Sequence, residues 1–339
     1  MNRPPEPQHK PAIPQRCLAL AVVATMTVAW AVSPTSVLAA TKDGYPNKPI
    51  RFVVAFAPGG PADIAGRLVA QHVGTRLGQA VVVENRPGAG GNVAAKYVAG
   101  QPPDGYTVLI TTSAITVNQS LYKQPGYQLM RDFAPVALIA VNPNVLVVHP
   151  SEQATDLKGY LRLHKGKNVS YGSAGVGSTP HLTAEHVLHI LGGIDTVHVP
   201  FQGASQALTA TMGNQVPVAS VALQAALPLI KAGKVKALAV SSLMRDPQLP
   251  DVPTIAESGF PNVEDYTWVC ALAPAATPSA VVAQLNAAIN EALRAPGLQR
   301  GLMESGMEPR PLSPAAFSSY LTQELTKWSA LIKQTGITQ

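Results

Sequence analysis

The sequence predicts a two-lobed α/β protein in which each lobe is a mostly parallel sheet flanked by helices. Short β-rich runs alternate with segments of helical periodicity, which is the pattern of βαβ units. The alternation forms two series, and the second begins near residue 145. Without an N-terminal segment of 39 residues, 300 residues remain, a length that suits two lobes that each have a core.

The first 39 residues are expected to form a cleaved signal peptide. An apolar run over 18–32 is followed by small residues at 37–40, and three basic residues precede it: Arg3, Lys10 and Arg16. A transmembrane anchor is the alternative, but a span needs about 20 apolar residues and this run is shorter. Cys17 precedes the run, whereas the lipid-modified cysteine of a lipoprotein would follow it. We therefore expect export to the periplasm without stable membrane insertion.

Charge and cysteine content narrow the function classes. The formal net charge of +6 falls to +4 without the first 39 residues, and the basic residues form no dense cluster. This argues against a nucleic-acid partner and weakly favours small anionic ligands. Cys270 is the only cysteine beyond residue 39, so packing rather than a disulfide within the chain must stabilise the fold.

The two series predict the following elements. In the first, strands are expected at 50–56, 80–84 and 107–112, and helices at 64–77 and 92–99. In the second, strands are expected at 145–148, 169–172, 196–199, 216–221 and 235–240, and helices at 157–164, 182–191 and 207–212. Two amphipathic helices, 278–295 and 314–334, end the chain.

Two segments, 142–144 and 265–268, are expected to connect the lobes. The C-terminal helices then complete the first lobe, so lobe 1 comprises 40–144 plus 267–339, and lobe 2 comprises 145–266. Trp268 lies in the second connection. It could close over a ligand or pack at the hinge, and the sequence favours neither role.

The loop at 56–63 (FAPGGPAD) has the features of an anion site. A strand ends there, Gly59 and Gly60 allow a tight turn, and Pro61 suits the first helical position. Backbone N–H groups at a helix N-terminus are unpaired and favour an anion. The alternative is an ordinary tight turn. Asp63 could bind an ammonium group or complement the helix dipole.

A second loop of this kind follows the strand at 169–172. Residues 172–177 (GSAGVG) are rich in glycine, and 178–180 (STP) open the next helix. In open α/β sheets ligands bind outside the carboxyl ends of the strands, so one loop from each lobe is expected at a shared cleft. Gly60 and Gly175 are expected to need the backbone freedom, or the close ligand approach, that glycine allows.

The composition of these loops favours a carboxylate. Neither loop has the glycine order of a dinucleotide site or the Gly-Lys-Ser/Thr ending of a Walker A loop, so phosphate cofactors are not expected. No arginine or lysine occurs at 56–63, 172–181 or 201–205. Neutral donors and water must then hold the anion, which suits a carboxylate better than a phosphate.

Metal and catalytic sites have little support in the sequence. His181, Glu185 and His189 fall at i, i+4 and i+8 on one helix and could face one metal, but the spacing is not H-E-x-x-H. A solvated helix face with His181 near the cleft rim is expected instead, with no metal or cofactor. No G-x-S-x-G motif occurs, and Ser173 has no evident base partner in the sequence. The sequence therefore predicts no catalysis.

Several strings resemble the receptors of tripartite tricarboxylate transporters, the Bug family of periplasmic binding proteins. They extend over essentially the whole chain after residue 39: YP at 45–46, KPI at 48–50, PGG at 58–60 with Asp63 and Arg67, NRPGAGG at 85–91, PDGY at 103–106, 172–181, VPF at 199–201 with Gly203, and LPDVPT at 249–254. The resemblance implies a two-lobed flytrap, the periplasmic-binding-protein architecture, that holds a carboxylate largely through backbone groups and bridging waters. It also implies membrane transporter subunits or a sensor protein as the partner.

The resemblance implies ligand contacts from both lobes. Those of the first are Phe56, Pro58, Gly59, Gly60, Pro61, Asp63 and Ser113, and those of the second are Ser173, Ala174, Gly175, Thr179, His181, Phe201, Gln202 and Gly203. Two departures affect the second lobe. Where relatives usually read Gly-Gln-Val-Asp and then Phe-Asp, this chain has NQVP at 214–217 and Ser220-Val221. Two carboxylates expected near that lobe are therefore missing.

The leading expectation is a receptor that captures a small organic carboxylate without an ammonium group. Asp63 is the only carboxylate within the named loops, and an unpaired buried ammonium is severely penalised. Backbone carbonyls could still satisfy an ammonium. Two alternatives stay open: the binding component of a sensor system, and an exported enzyme acting on a small organic acid, which would need a perturbed acid, base or nucleophile in the cleft.

Overall fold

The computed structural model describes residues 44–337. The signal-peptide prediction for residues 1–39 lies outside this range. Within 44–337, no helix is both long enough and apolar enough to cross a membrane.

Strands and helices alternate along the described chain. The strands are β1 (Ile50–Val54), β2 (Val81–Asn85), β3 (Thr107–Thr112), β4 (Phe133–Val148), β5 (Asn168–Ser173), β6 (Asp195–Pro200), β7 (Val218–Ala222), β8 (Lys236–Val240), β9 (Tyr266–Pro274) and β10 (Glu308–Pro309). The helices are α1 (Pro61–Leu77), α2 (Asn92–Ala99), α3 (Ala114–Leu121), α4 (Leu129–Asp132), α5 (Leu157–His164), α6 (Thr179–Ala184), α7 (Ala204–Met212), α8 (Leu223–Lys231), α9 (Ser279–Arg294), α10 (Pro296–Glu304) and α11 (Pro314–Thr335). A 3₁₀ turn at Ala89–Gly91 precedes α2, and a π-helix at Glu185–Leu191 continues α6.

The strands form one mixed sheet. Hydrogen-bonded neighbours follow the order β2-β1-β3-β9-β4-β7-β5-β6, and β8 and β10 also pair with β4. β1 is parallel to β2 and β3, and β5 is parallel to β6 and β7, as the alternation predicts. β9 is antiparallel to β3 and β4, and β4 is antiparallel to β7 and β8. The sheet is mixed rather than mostly parallel because the two strands at its centre, β4 and β9, run against their neighbours.

β4 belongs to both halves of the sheet. Its residues 133–143 pair with β9, and its residues 144–148 pair with β7. We call β1, β2, β3, β9 and 133–143 the first sheet half, and β5 to β8 with 144–148 the second sheet half. Asn142 and Asn144, which were expected in a connecting segment, are buried inside this strand. The connection on this side is therefore a continuous strand.

Helices cover both faces of each sheet half. In the first half, α1 and α9 pack on one face, and α2, α3 and α11 pack on the other. In the second half, α5 and α6 lie on one face, and α7 and α8 lie on the other. Because both faces are covered, Val145 and Val147 contribute to one core, and Leu146 and Val148 contribute to the other. Each such fully buried aliphatic side chain stabilises the fold by roughly 1.5–3 kcal/mol.

Most predicted elements are present. The sequence did not predict α3, α4, α8, α10, β9, β10 or the first part of β4. Six of the eight residues of α3 are buried, so it has no polar face to reveal a period. α8 contains Pro228, a residue that normally interrupts a helix.

A buried polar cluster lies where β4 and β9 join the two sheet halves. Asn144 Nδ2 donates to Thr183 Oγ1 at 2.9 Å, and Thr267 Oγ1 donates to Asn144 Oδ1 at 3.0 Å. The Thr183 hydroxyl lies 3.2 Å from the Asp265 carboxylate, which Lys327 Nζ of α11 contacts at 2.7 Å. We call these five residues the crossing cluster. A buried polar group without a partner is costly, so the cluster favours this one arrangement of the two strands.

Trp268 packs beside the crossing cluster. Its side chain is fully buried, and its indole N–H donates to Glu324 Oε2 at 2.8 Å. Its ring makes edge-to-face contacts with Phe317 and Tyr320. Of the two roles that the sequence left open, the structure shows packing at the connection.

Cys270 lies at the centre of β9. It stands between Thr111 of β3 and Leu138 of β4 and is fully buried. Its thiol is free, and burial raises the pKa of the thiol far above its usual range. The side chain therefore acts as a small apolar core residue.

Removal of the Lys327 ammonium should destabilise the protein. The Asp265 side chain is 2% exposed, so Lys327→Met leaves a buried carboxylate whose strongest partner is lost. We expect the free energy of unfolding in urea to fall by about 2 kcal/mol, less than for a fully buried pair because the Lys327 side chain is 37% exposed. Lys333→Met, on the exposed face of the same helix, should change it by less than about 0.5 kcal/mol. Equal losses in the two variants would contradict the role assigned to the crossing cluster.

Candidate ligand-binding site

The first candidate loop connects β1 to α1. Ala57, Pro58 and Gly59 are exposed, and Pro61 occupies the first turn of α1. Gly59 has φ +84°, a left-handed conformation that glycine adopts without strain. Gly60 has φ −82° and ψ 169°, and an added Cβ would come no closer than 3.7 Å to its nearest neighbour. Gly59 is therefore the residue that needs glycine's backbone freedom, and of the two reasons expected for Gly60 only a close ligand approach remains.

Asp63 holds this loop in shape. Its carboxylate accepts hydrogen bonds from the Gly59 amide, Arg67 Nε and Asn85 Nδ2, each at 2.9 Å. The side chain is buried, which by itself would raise the pKa of Asp63, but the bonds from Arg67, Gly59 and Asn85 outweigh burial and lower the pKa. Both oxygens have protein donors, so Asp63 ties the loop to the start of α1 and to β2.

Several amides of the first loop remain open to a ligand. Within residues 44–337, the N–H groups of Ala57 and Gly60 have no protein acceptor. They lie at the N-terminus of the 17-residue α1, where the helix dipole favours negative charge. The Phe56 carbonyl accepts a hydrogen bond from Asn85 Nδ2 at 3.0 Å. The Phe56 ring packs against Gly91.

The second candidate loop connects β5 to α6. Ser173 is fully buried, and its Oγ accepts the Gly175 amide at 3.1 Å and lies 2.7 Å from His198 Nε2. The Gly177 amide donates to His181 Nδ1 at 3.3 Å. Gly175 has φ +125°, as expected for a position that requires glycine.

The amides of this loop alternate between bonded and open. Those of Gly175 and Gly177 are bonded to side chains, whereas those of Ala174 and Val176 have no acceptor in the described chain. Ala174 and Val176 are also partly exposed. The loop therefore presents two donors to solvent on the carboxyl edge of the sheet.

A stack of three rings supports the second loop. The His181 and His198 rings stack at a centroid distance of 3.9 Å, and Tyr171 stacks on His198 at 4.9 Å. Burial lowers the pKa of His181 to about 3, with a smaller contribution from His198, and burial lowers the pKa of His198 to about 4. Both imidazoles are therefore neutral at physiological pH. The sequence analysis missed His198, whose only signal was its place directly before the VPF string.

The third loop, between β6 and α7, lies beside the second. The Phe201 amide donates to the Ser173 carbonyl at 3.2 Å, and the Phe201 ring covers Gly172. The Gln202 amide donates to Gln206 Oε1 at 3.2 Å. Gly203 has φ +143° and precedes α7, and its amide has no acceptor among residues 44–337.

Ser113 and Thr179 contact each other. Their hydroxyl oxygens are 3.2 Å apart, and both side chains are buried. Thr179 Oγ1 is also 2.7 Å from Thr267 Oγ1, so the pair continues into the crossing cluster. In this conformation the two hydroxyls join the sheet halves rather than face an open cleft.

The contacts between the loops pass through α3. An added Cβ at Gly177 would lie 2.7 Å from Leu121 and 3.0 Å from Asn118 Oδ1. Asn118 Nδ2 donates to the Gly90 carbonyl at 3.0 Å, and neighbouring Gly91 contacts Phe56. The structure therefore connects the first loop to the second through Asn118.

Of the two departures from the family pattern, Pro217 lies away from these loops, whereas Ser220-Val221 lies at the carboxyl end of β7. Pro217 precedes β7 and lines a cavity of about 330 Å³ with His149, His164 and Lys167. This is the amino end of β7, whereas the second loop follows the carboxyl end of the parallel strand β5. Val221 is fully buried in the core beneath α7 and α8. Pro217 therefore lies in the second sheet half, where the missing carboxylate was expected, but away from the ligand loops.

The residues with metal-like spacing have other partners. Glu185 accepts from Tyr171 at 2.8 Å and from Thr196 at 3.1 Å, and the His189 ring contacts the Ile194 carbonyl at 3.0 Å. The helix becomes a π-helix at Glu185, which changes the predicted spacing of these side chains. His181 and Glu185 are buried, so the expected solvated helix face is wrong.

The structure shares its fold with bacterial solute-binding proteins. A Rhodopseudomonas palustris protein solved with adipate is 34% identical, with a TM-score of 0.79 and coverage of 87% of this chain and 99% of that chain. MatC from the same organism, solved with malate, is 32% identical, with a TM-score of 0.76 and coverage of 85% and 100%. This fold and the open loop amides define a receptor that binds a solute.

The sequence relatives specify which receptors. The family described as the tripartite tricarboxylate transporter family receptor matches residues 65–337. A Pseudomonas sp. strain P51 protein from the tcbD–tcbE intergenic region is 38% identical over 309 residues, which are 90% of this chain and 91% of that one. BugT of Bordetella pertussis is 31% identical over 298 residues, 87% and 91% of the two chains. The chain belongs to the tripartite tricarboxylate transporter receptor family, as the sequence strings indicated.

Neutralisation of Asp63 should destabilise the protein in a pH-dependent way. Because its folded pKa is lowered, Asp63 contributes stability above its unfolded pKa, and this contribution is lost as pH falls through the folded pKa. We expect Asp63→Asn to lower the free energy of unfolding by about 2 kcal/mol at pH 7. The difference from the unsubstituted protein should shrink below about pH 4.

Asp104→Asn is the matched control for this measurement. Asp104 is exposed and pairs with exposed Lys48 at 3.3 Å, so its loss should cost less than about 0.5 kcal/mol. Chemical unfolding of the three proteins between pH 3 and 7 provides the comparison. A pH-independent effect of Asp63→Asn would show that the charge of Asp63 does not hold the loop.

Proposed function

We propose that this receptor captures a small organic carboxylate that lacks an ammonium group, for a tripartite tricarboxylate-type transporter. The observation that carries the proposal is the set of open backbone amides in three neighbouring βα loops. These belong to Ala57 and Gly60, to Ala174 and Val176, and to Gly203. The ligands of the R. palustris structures, adipate and malate, are acids of the proposed class.

Uncharged donors suit a carboxylate. The three loops contain no arginine or lysine, so the anion is held by amides and bridging water. Each charge-assisted hydrogen bond contributes roughly 1.5–3 kcal/mol. Two or three such bonds in a closed cleft give useful affinity and still allow release to a transporter.

The state of Asp63 argues against an ammonium group. Its two oxygens already accept three donors, so it has no capacity to neutralise a buried cation without loss of the loop. Closure over an unpaired ammonium would be severely penalised. The distance of Pro217 from the loops removes one argument for this preference, and the argument now rests on Asp63.

The proposal includes closure of two lobes, 40–144 plus 267–339 and 145–266, about the crossing strands. Each sheet half supplies only part of the amide set, so a ligand that contacts both favours the closed form. Ser113 and Thr179 then act as a contact between the closed lobes. The proposal also includes export, with a mature protein that begins at about Ala40. Its partner is a membrane transporter or a sensor protein.

A thermal-shift panel tests the ligand class. At about 100 times its dissociation constant, a ligand stabilises the folded protein by about 2.7 kcal/mol, which corresponds to about 5 °C or more at this size. We expect such a shift with adipate, malate or a related acid, and none with aspartate or glutamate. A shift with the amino acids alone would overturn the assignment.

Two glycine variants provide the matched controls for the panel. Gly59→Ala should remove the shift, because an L residue disfavours φ +84° and the loop would rearrange. Gly233→Ala introduces a similar strain at φ +65° in a turn outside the three loops and should leave the shift intact. If both variants lost the thermal shift, the loss would reflect a general destabilisation of the protein rather than a change in the first loop.

One observation favours a second function, that of a hydrolase. Ser173 Oγ lies 2.7 Å from His198 Nε2, the base partner that the sequence did not reveal. Three features argue against catalysis. Ser173 is fully buried, its Oγ accepts the Gly175 amide, and within 44–337 no carboxylate contacts His198 to orient it. We therefore propose that the pair has a binding role.

An ester-hydrolysis assay separates the two functions. The purified protein and Ser173→Ala should turn over p-nitrophenyl acetate at the same slow rate, because no substrate carbonyl reaches a fully buried Oγ. Turnover that is lost in Ser173→Ala would establish the hydrolase instead. Heat-denatured protein gives the background rate.

A further inference from the structure

His198 touches the second loop at the one side chain that fixes its shape. Its Nε2 lies 2.7 Å from Ser173 Oγ, and Ser173 Oγ in turn accepts the Gly175 amide at 3.1 Å. In one tautomer Ser173 donates to His198, and in the other His198 donates to Ser173 and the serine proton turns to the Gly175 carbonyl at 3.3 Å. In both tautomers the contact fixes the position of Ser173 Oγ.

We propose that His198 is a positioning residue that sets which amides of the second loop face the ligand. Through Ser173 it holds the Gly175 amide inward, and its stacked neighbour His181 holds the Gly177 amide inward. The amides of Ala174 and Val176, which alternate with these two, then point to the anion. This inference rests on the proposed function and extends it to His198, which is not among the expected ligand contacts.

The surroundings hold the His198 ring in place. It packs against the rings of His181 and Tyr171, with centroid distances of 3.9 and 4.9 Å, and those two rings also contact each other at 6.3 Å. Tyr171 is anchored by its hydroxyl, which donates to Glu185 at 2.8 Å. Burial keeps both histidines neutral above about pH 5, so the loop has one shape across the physiological range.

Two substitutions separate the hydrogen bond from the ring stack. His198→Phe keeps an aromatic ring against His181 and Tyr171 but removes Nε2. His198→Gln removes the ring but can place an amide group near the position of Nε2. His189→Phe, at an exposed histidine of the same sheet half, is the matched control.

Affinity is measured by calorimetry for adipate, or for the acid of the thermal-shift panel that gives the largest shift. We expect His198→Phe to weaken binding about tenfold, the loss of one well-placed contact, and His198→Gln to recover most of that loss. Ser173→Ala should weaken binding by the same factor, and the double variant Ser173→Ala/His198→Phe no further, because both changes remove one interaction. Losses that multiply in the double variant would show that His198 acts independently of Ser173 and would overturn the proposal.

Amide hydrogen exchange without ligand provides a second readout. We expect the Gly175 N–H to exchange at least tenfold faster in His198→Phe than in the unsubstituted protein, and at the unsubstituted rate in His189→Phe. Unchanged Gly175 exchange in His198→Phe would contradict the positioning role. This measurement needs no ligand, so the positioning role can be judged even where no acid binds and the proposed function fails.

Discussion

The fold depends on the two strands that join its halves. β4 and β9 lie side by side at the centre of the sheet, and between them they carry polar side chains into a region without solvent. The crossing cluster satisfies those groups, with Asp265 as the charge that must be neutralised. A buried charge is tolerated only with good partners. Because α11 supplies Lys327, this helix is part of the connection between the two sheet halves. Through Thr267 and Thr179 the same cluster reaches Ser113, one of the residues expected at the ligand.

Several elements were predictable because the sequence patterns that mark them are local. The strand at 107–112 and the helices at 92–99 and 157–164 have the bounds that hydrophobic spacing predicts. The middle of the chain was harder to predict. Residues 133–148 form one long strand buried on both faces, so the sequence shows continuous apolar character there and gives no indication that Asn142 and Asn144 lie inside it.

The candidate site shows the same limit. Glycine-rich strings predicted the two loops and the left-handed conformation of Gly175, but the sequence could not assign that conformation to Gly59 rather than Gly60, since both precede Pro61 within one turn. The Ser173–His198 contact joins residues 25 positions apart and depends on the parallel pairing of β5 with β6. The π-helix that begins at Glu185 was not anticipated by any spacing rule. Local conformation was therefore predictable, and contacts that cross strands were not.

The thiol of Cys270 gives the molecule an internal reporter of opening. It lies in the middle of the sheet beneath α2, α3 and α11, so a thiol reagent reaches it only after those helices or the sheet itself open. The frequency of that opening is governed by the stability of the core around the sheet centre rather than by loop motion. The rate at which a reagent labels this single sulfur atom thus measures how often that core opens, in a protein that carries no second thiol beyond residue 39 to confuse the signal.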